Sequence, residues 1–149
     1  MTSIKMIEAS DYCTFYGKRL PTYEEWLFAA RGSSQNLYPW GNSSILDEMR
    51  YRANYLSPKR KTGKELDGYN GPHAVDHDIK RGLSTFKVAH MSGNVKEWVL
   101  RLKRNQAWVT GGGWRSPLWE LRLTAGEYRH QYTYTADDIG FRCAQNIVK

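Results

Sequence analysis

The sequence predicts an α+β domain in which two helices pack on a small antiparallel sheet beside long irregular loops. Three observations predict it. Two helical patterns stand close together near the N-terminus; a long stretch rich in Gly, Pro, Asn and Ser follows with no sustained period; and short aromatic or β-branched runs bounded by turn residues come after Met91. Two helices and a small antiparallel sheet in one domain give an α+β arrangement. With 149 residues the chain reads as one domain, 1–149, large enough to bury about 70% of its unfolded surface.

Each element has its own warrant. Met6, Ala9, Cys13 and Tyr16 fall at helical spacing within 4–16, and Gly17 supplies the left-handed position that commonly ends a helix. Thr22 with Glu25 three residues on makes a capping box behind Pro21, and Tyr23, Trp26, Leu27 and Ala30 then form one apolar stripe until Gly32. From 33 to 79 the chain reads as irregular loops, and a loop of that length inside a compact domain needs an anchor. The candidates are burial of Trp40 and a bound cation. Strands are expected at 97–102, 107–111 and 138–144. There is no internal repeat.

Composition narrows the function classes. Six Trp, ten Tyr and thirteen Gly, with a mean hydropathy of -0.69, describe a loop-rich globule held by aromatic anchors. The net charge of +7 comes from 22 basic and 15 acidic residues, with runs at Lys59-Arg60-Lys61, Lys64 and Arg101-Leu-Lys-Arg104. Such runs usually form a solvated loop or hairpin face, and no recognition motif accompanies them, so nucleic acid is not the expected partner. The N-terminus lacks an apolar stretch of signal-peptide length, and no run approaches the roughly 20 apolar residues of a membrane span. The chain as given is expected to be soluble.

A set of short blocks stands in a fixed order: Tyr12-Cys13, Gly17-Lys-Arg-Leu-Pro-Thr22, Glu25-Trp26, Ala29-Ala-Arg-Gly32, Tyr38-Pro-Trp-Gly41, Ala53-Asn54, Ser92-Gly-Asn-Val-Lys-Glu-Trp98, Gly111-Gly-Gly-Trp114 and Gly140-Phe-Arg-Cys143. Together, from about Asp11 to Ala144, they resemble the formylglycine-generating enzyme family, the sulfatase-modifying-factor type of C-type lectin fold. The resemblance implies a compact lectin-like fold of that type. It also implies a substantial N-terminal portion with further strands, whereas this chain begins almost at the first helix. Either the fold closes without those strands, or a second copy or an assembly partner covers the N-terminal edge.

The same resemblance implies metal and disulfide positions. One family calcium site corresponds to the Asn54 side chain, the Tyr55 carbonyl, the Asp67 side chain and the Tyr69 carbonyl, oxygen donors of the kind calcium takes. Alternatively, Asn54 and Asp67 close turns, as Asn and Asp often do. A second site corresponds to the Gly93 and Val95 carbonyls and the Glu97 carboxylate, but His90 stands where the family places Asp or Asn, and imidazole presents nitrogen where the ion wants oxygen. Glu97 otherwise reads as a structural hydrogen-bond acceptor. Cys13 and Cys143 match bridged family cysteines, and a bond between them would close a loop of about 130 residues, worth up to about 4 to 5 kcal/mol in the chain-entropy model. In a reducing cytosol, two buried thiols are the ordinary outcome instead.

The residues of the oxidase are the ones missing. By resemblance the family's chemistry is copper-assisted, oxygen-dependent oxidation of a substrate cysteine, performed by two cysteines just after the Gly-Gly-Ser-Trp type of segment. Here residues 115–122 read Arg-Ser-Pro-Leu-Trp-Glu-Leu-Arg, no cysteine lies between Cys13 and Cys143, and Gly126 occupies a further arginine position. A soft Cu(I) ion needs thiolates, so copper is not expected. A relative, the sulfoxide synthase of ergothioneine biosynthesis, adds a histidine-bearing partner domain that this chain lacks. His73 and His77 are four apart on a Pro- and Gly-flanked loop, which implies no shared helical face.

What remains is the surface between Arg115 and Asp138, with Arg115, Trp119, Glu120, Tyr128, Arg129, His130, Gln131, Tyr132, Tyr134 and Asp137. This mixture of aromatics, guanidinium and small polar groups is typical of protein-binding surfaces. The competing expectation is that Trp119 and some tyrosines pack into the domain, while Asp138 and Arg142 form a structural pair. The diversity-generating retroelement variable proteins, which share the resemblance, carry their mutable residues in this segment, ahead of a terminal Gly-Phe-Arg like Gly140-Phe-Arg142. The expected function is a non-catalytic module that binds a protein or cell-surface ligand through 115–138. The alternatives are a sulfatase-modifying oxidase and a structural subunit of a virion or other assembly.

Overall fold

The computed structural model of the chain describes residues 1–43, 52–56, 71–77, 82–101, 106–125 and 128–147. Two of the expected basic runs, at 59–64 and 102–104, lie outside the described residues.

Helix α1 (Met6–Phe15) begins where the Lys5 N–H donates to the Glu8 carboxylate at 2.9 Å, and it buries Met6, Ala9 and Cys13. Tyr16, expected on the same stripe, is 57% exposed. The helix has ended by then, and the Tyr16 N–H bonds the Cys13 carbonyl in a closing turn. Helix α2 (Tyr23–Arg31) has the expected capping box, with the Thr22 hydroxyl accepting from Glu25 N at 3.1 Å and the Glu25 carboxylate accepting from Thr22 N at 2.9 Å. Its buried stripe is Tyr23, Trp26 and Ala30, with Leu27 half-buried beside it.

The sheet contains β1 (Lys96–Arg101), β2 (Gln106–Thr110), β3 (Tyr128–His130) and β4 (Ile139–Gly140), in the spatial order β3-β2-β1-β4. β1 and β3 pair antiparallel with β2, but β4 runs parallel to β1, with Lys96 opposite Ile139 and Glu97 opposite Gly140. The sheet is therefore mixed, not antiparallel as expected. The chain leaves β3 at one edge and returns through 131–138 to the far edge, arriving in the direction of β1. The strand expected over 138–144 stops at Gly140 because the chain then turns to Arg19, where Ala144 and Arg19 exchange hydrogen bonds of 2.9 and 2.7 Å. β3 was not expected, since three residues carry no readable alternation.

Both faces of the sheet are covered. Along β1 the side chains alternate, so Trp98 and Leu100 join the α1 cluster with Val109, Met6, Ala9 and Cys13, while Val99 joins the α2 cluster with Trp26, Ala30 and Leu123. The two helices thus pack on opposite faces. The two most deeply buried indoles also find acceptors: Trp98 Nε1 donates to the Ile4 carbonyl at 3.0 Å and Trp26 Nε1 to Glu97 at 2.7 Å. Cys13 on α1 and Cys143 beyond β4 form a disulfide, with Cα atoms 5.6 Å apart.

The described part of the loop region has its own small core. Tyr38 is 1% exposed and packs with Tyr55 and Leu121. Trp40 is only half-buried and stacks on the Tyr38 ring at 5.3 Å. The deep anchor is therefore Tyr38 rather than Trp40. Two buried amides stitch the loops together: Asn54 Nδ2 donates to the Gly71 carbonyl at 2.8 Å, and the Asn94 carbonyl oxygen accepts from His73 N at 2.7 Å. Among the described residues no helix is long and apolar enough to cross a membrane.

Candidate functional site

β2 runs into the Gly111-Gly-Gly113-Trp114 turn. Gly112 has φ of 65°, and a Cβ there would stand 2.9 Å from the Leu121 side chain and 3.0 Å from the Glu120 carbonyl, so the turn fits against 118–121 only with glycine. Gly113 N donates to Ser116 Oγ at 3.0 Å, and Trp114 N to the Asn94 carbonyl at 2.8 Å. The Trp114 ring is thereby held inward, and the Arg115 guanidinium lies over it at 4.4 Å. Arg115 then pairs with Asp137 at 2.6 Å, both side chains more than half exposed.

A 3-10 turn, Leu118–Leu121, buries Leu121 completely and leaves Trp119 55% exposed. Ser92 Oγ fixes this turn from below by donating to the Leu121 carbonyl at 2.8 Å. Tyr132 and Tyr134 sit on the following loop, 45% and 43% exposed. Of the residues expected on this surface, Arg115, Trp119, Gln131, Tyr132, Tyr134 and Asp137 are exposed and Glu120 is half-buried. Tyr128, Arg129 and His130 form β3, and their side chains lie outside the described residues. The structure thus exposes Arg115, Trp119, Gln131, Tyr132, Tyr134 and Asp137, with Arg115 and Asp137 in direct contact.

The carboxylate expected to serve a second calcium ion is engaged differently. Glu97 is 4% exposed; its Oε2 accepts from Arg142 Nε at 2.5 Å and Trp26 Nε1 at 2.7 Å, and its Oε1 from Arg142 Nη2 at 2.7 Å. Arg142 also donates to the Ala89 carbonyl at 3.0 Å. Burial opposes its charge, but Glu97 more than offsets this and holds the guanidinium above its ordinary value. The expected Asp138–Arg142 pair is not formed, because the parallel register sets Arg142 beside Glu97 and gives Asp138 to Lys96 at 2.9 Å.

Calcium does not fit there. Both Glu97 oxygens already serve a guanidinium, and a second cation would have to displace it. His90 offers nitrogen where the ion takes oxygen. Its pKa is lowered by burial first and by the nearby Arg142 charge second. His73, His90, Asn94, Glu97 and Arg142 line a cavity of about 440 Å³. The His73 and His77 rings meet at 4.5 Å. Among the described residues no group of three His, Cys, Asp or Glu is placed to hold a metal.

Of the first calcium set, Asp67 and Tyr69 lie outside the described residues. Asn54 gives its amide nitrogen to Gly71, which leaves the amide oxygen as the atom a cation would take.

Sequence reasoning missed Lys96. Its signal was a charged residue beside a second one, Glu97, at the head of a strand buried on both faces, where each charge demands a partner.

Residues 1–147 match the sulfatase-modifying factor enzyme 1-like domain. The inactive C-alpha-formylglycine-generating enzyme 2 of Bos taurus is 33% identical over 150 residues, covering 92% of this chain and 47% of the relative. The formylglycine-generating enzyme of Thermomonospora curvata is 42% identical over 95 residues, 61% of this chain and 29% of the relative. The chain thus spans about half or less of the length of these curated relatives. In fold it is similar to PvdO from Pseudomonas aeruginosa, with a TM-score of 0.75 at 20% identity over 98% of this chain and 61% of that one. It is also similar to Treponema denticola variable protein 1, with a TM-score of 0.58 at 20% identity over 83% of this chain and 46% of that one. The family match over nearly the whole sequence agrees with the two-helix, mixed-sheet architecture, and the chain belongs to the sulfatase-modifying factor, or formylglycine-generating enzyme, family of C-type-lectin-like domains.

Proposed function

We propose that this domain is a non-catalytic binding module of the formylglycine-generating enzyme family, docking a protein or cell-surface ligand on the face formed by 115–138. The observation that carries the reading is the exposure of Trp119, Tyr132 and Tyr134 on the same segment as the Arg115–Asp137 pair. Tyr and Trp give large contact area at low entropic cost, and an exposed guanidinium can exchange its partner for a ligand's acceptor. The chemistry of the cysteines supports the non-catalytic half: both are joined in one disulfide, so neither presents a thiolate to Cu(I). One relative is named inactive and another is named as the enzyme, so the assignment rests on this chain's own residues.

The test uses the purified chain as bait. A partner retained by wild type and lost with Trp119→Ala and Tyr132→Ala is the expected result. Copper-dependent oxidation of a cysteine-containing peptide by the pure protein would restore the oxidase reading. Comparing codons 115–138 among sibling genes tests the variable-protein form of the proposal: variation concentrated at the exposed positions is expected if the face is diversified.

Calcium belongs to the same proposal, held by the Asn54 amide oxygen, the Tyr55 carbonyl, Asp67 and the Tyr69 carbonyl. A higher melting temperature with calcium than with chelator, abolished in Asp67→Ala, is the expected outcome.

A second reading, as a subunit of a larger assembly, is favoured by one feature. Tyr12, Phe15, Tyr16 and Phe141 form a run of rings 5.0 to 5.4 Å apart, with Phe15 82% exposed. A stable oligomer by light scattering would support it, and a monomer at high concentration would remove it.

A further inference from the structure

Asp137 and Asp138 are adjacent yet hold cations in different surroundings. Asp137 is exposed and takes Arg115. Asp138 is buried and takes Lys96 Nζ at 2.9 Å, and the same ammonium stands 3.9 Å from the Glu120 carboxylate. The three side chains are shielded, at 18%, 10% and 14% exposure. The main chains meet as well: Lys96 N donates to the Asp138 carbonyl at 2.8 Å. Gly113 makes that approach possible, since a Cβ there would lie 3.1 Å from the Asp138 carbonyl oxygen and 3.3 Å from Lys96 N. One ammonium thus joins β1, the 3-10 turn and the segment entering β4. Glu120 directly follows Trp119, and Asp138 directly follows Asp137.

We infer that Lys96 is the positioning residue of the binding face, its shielded ammonium holding the turn that presents Trp119 against the segment that presents Asp137. This rests on the reading that the 115–138 face takes the ligand. The physical argument is one of charge and direction. An ammonium is a compact charge whose three donors point in different directions, so it can serve two carboxylates from separate segments. An apolar side chain of the same length fills the space but takes the cation from the shielded Asp138 carboxylate and removes the charge that links it to Glu120. The two segments then lose the ion pairs that hold them together. The strand itself keeps its ladder to β2, so the effect is confined to the face.

Amide hydrogen exchange on the whole chain tests this without any ligand. In Lys96→Met, exchange at 119–121 and 137–139 is expected to quicken by about tenfold or more while α2 amides keep wild-type rates. Lys96→Arg, which keeps the charge, is expected to restore most of the protection. Glu120→Gln, which leaves Lys96 and Asp138 paired, is expected to loosen only the turn. Unchanged exchange at both stretches in Lys96→Met overturns the inference, and so does acceleration that extends to α2. Exchange strikes Lys96 alone. Retention of the wild-type partner by Trp119→Ala strikes the binding face itself, whatever Lys96 does.

Discussion

Arg142 and Arg115 each hold a carboxylate at nearly the same distance, 2.5 Å to Glu97 and 2.6 Å to Asp137, in opposite surroundings. The Glu97 side chain is 6% exposed and Arg142 26%, whereas Arg115 and Asp137 are 55% and 53% exposed. The inner pair is also tied to the Trp26 indole and the Ala89 carbonyl, and the outer pair rests only on the Trp114 ring among its described contacts. The lesson is that bond length does not assign a role. Where water is excluded, breaking a pair strands a charge, so the pair is committed to the fold. Where water can replace either partner, the pair contributes little to stability and is not committed to the fold.

The strongest way to break this comparison is Glu97→Gln. The amide can still accept from Trp26, but it leaves Arg142 without a counter-charge, and a loss of about 3 kcal/mol or more is expected in urea unfolding. A loss under about 1 kcal/mol would mean that water reaches the inner pair and that the two pairs are alike. Next comes the disulfide beside it. Replacing Cys13 and Cys143 by Ser together is expected to cost about 2 to 4 kcal/mol. Cys143 adjoins Arg142, so both changes release the same segment. Combined with Glu97→Gln, they are expected to fall short of additivity by about 0.5 kcal/mol or more. Strict additivity would show that the salt bridge and the disulfide fix separate parts. At the outer pair, Arg115→Ala is expected to shift stability by no more than about 0.5 kcal/mol while weakening partner retention in the bait experiment.

What could be read from the sequence followed how local each cause was. α2 was legible to its ends because a capping box, an apolar stripe and a terminal glycine all lie within eleven residues of each other, Thr22 to Gly32. The exposure of Arg115, Trp119, Tyr132, Tyr134 and Asp137 agreed with their polar and turn-rich neighbourhood. The mixed sheet was not legible, because pairing Lys96 with Ile139 depends on the path taken between them rather than on either segment. That same register decides which acid each cation meets. Arg142 lies closer in sequence to Asp138 but meets Glu97, and Lys96 receives Asp138. Tyr38 rather than Trp40 reached the interior because depth is set by the chain's turn at 38–41, where Tyr38 and Gly41 pair, and not by ring size.

A third arginine pair is intermediate between the two. Arg19 binds both oxygens of Glu25 at 2.6 Å, with side-chain exposures of 36% and 45%. The Arg19 guanidinium is the main reason the Glu25 carboxyl is held down at about 2, below its ordinary 4.5, with burial opposing it and the Thr22 N–H assisting. The folded chain therefore keeps the carboxylate ionised at pH values where the unfolded chain has taken up a proton. Its contribution is fully present above about pH 5, declines as pH falls through 4.5, and is gone below about 2. Both groups are more than a third exposed, so solvent screening reduces that contribution to about 1 kcal/mol or less. Glu25→Gln keeps an acceptor for the capping box and removes only the charge. Unfolding measured from pH 7 to pH 2 is expected to show the variant less stable at neutral pH and equal to wild type at the acid end. A deficit that stays constant across the range would assign the effect to the cap instead of the charge. A deficit as large as that of Glu97→Gln would show that exposure does not separate these pairs.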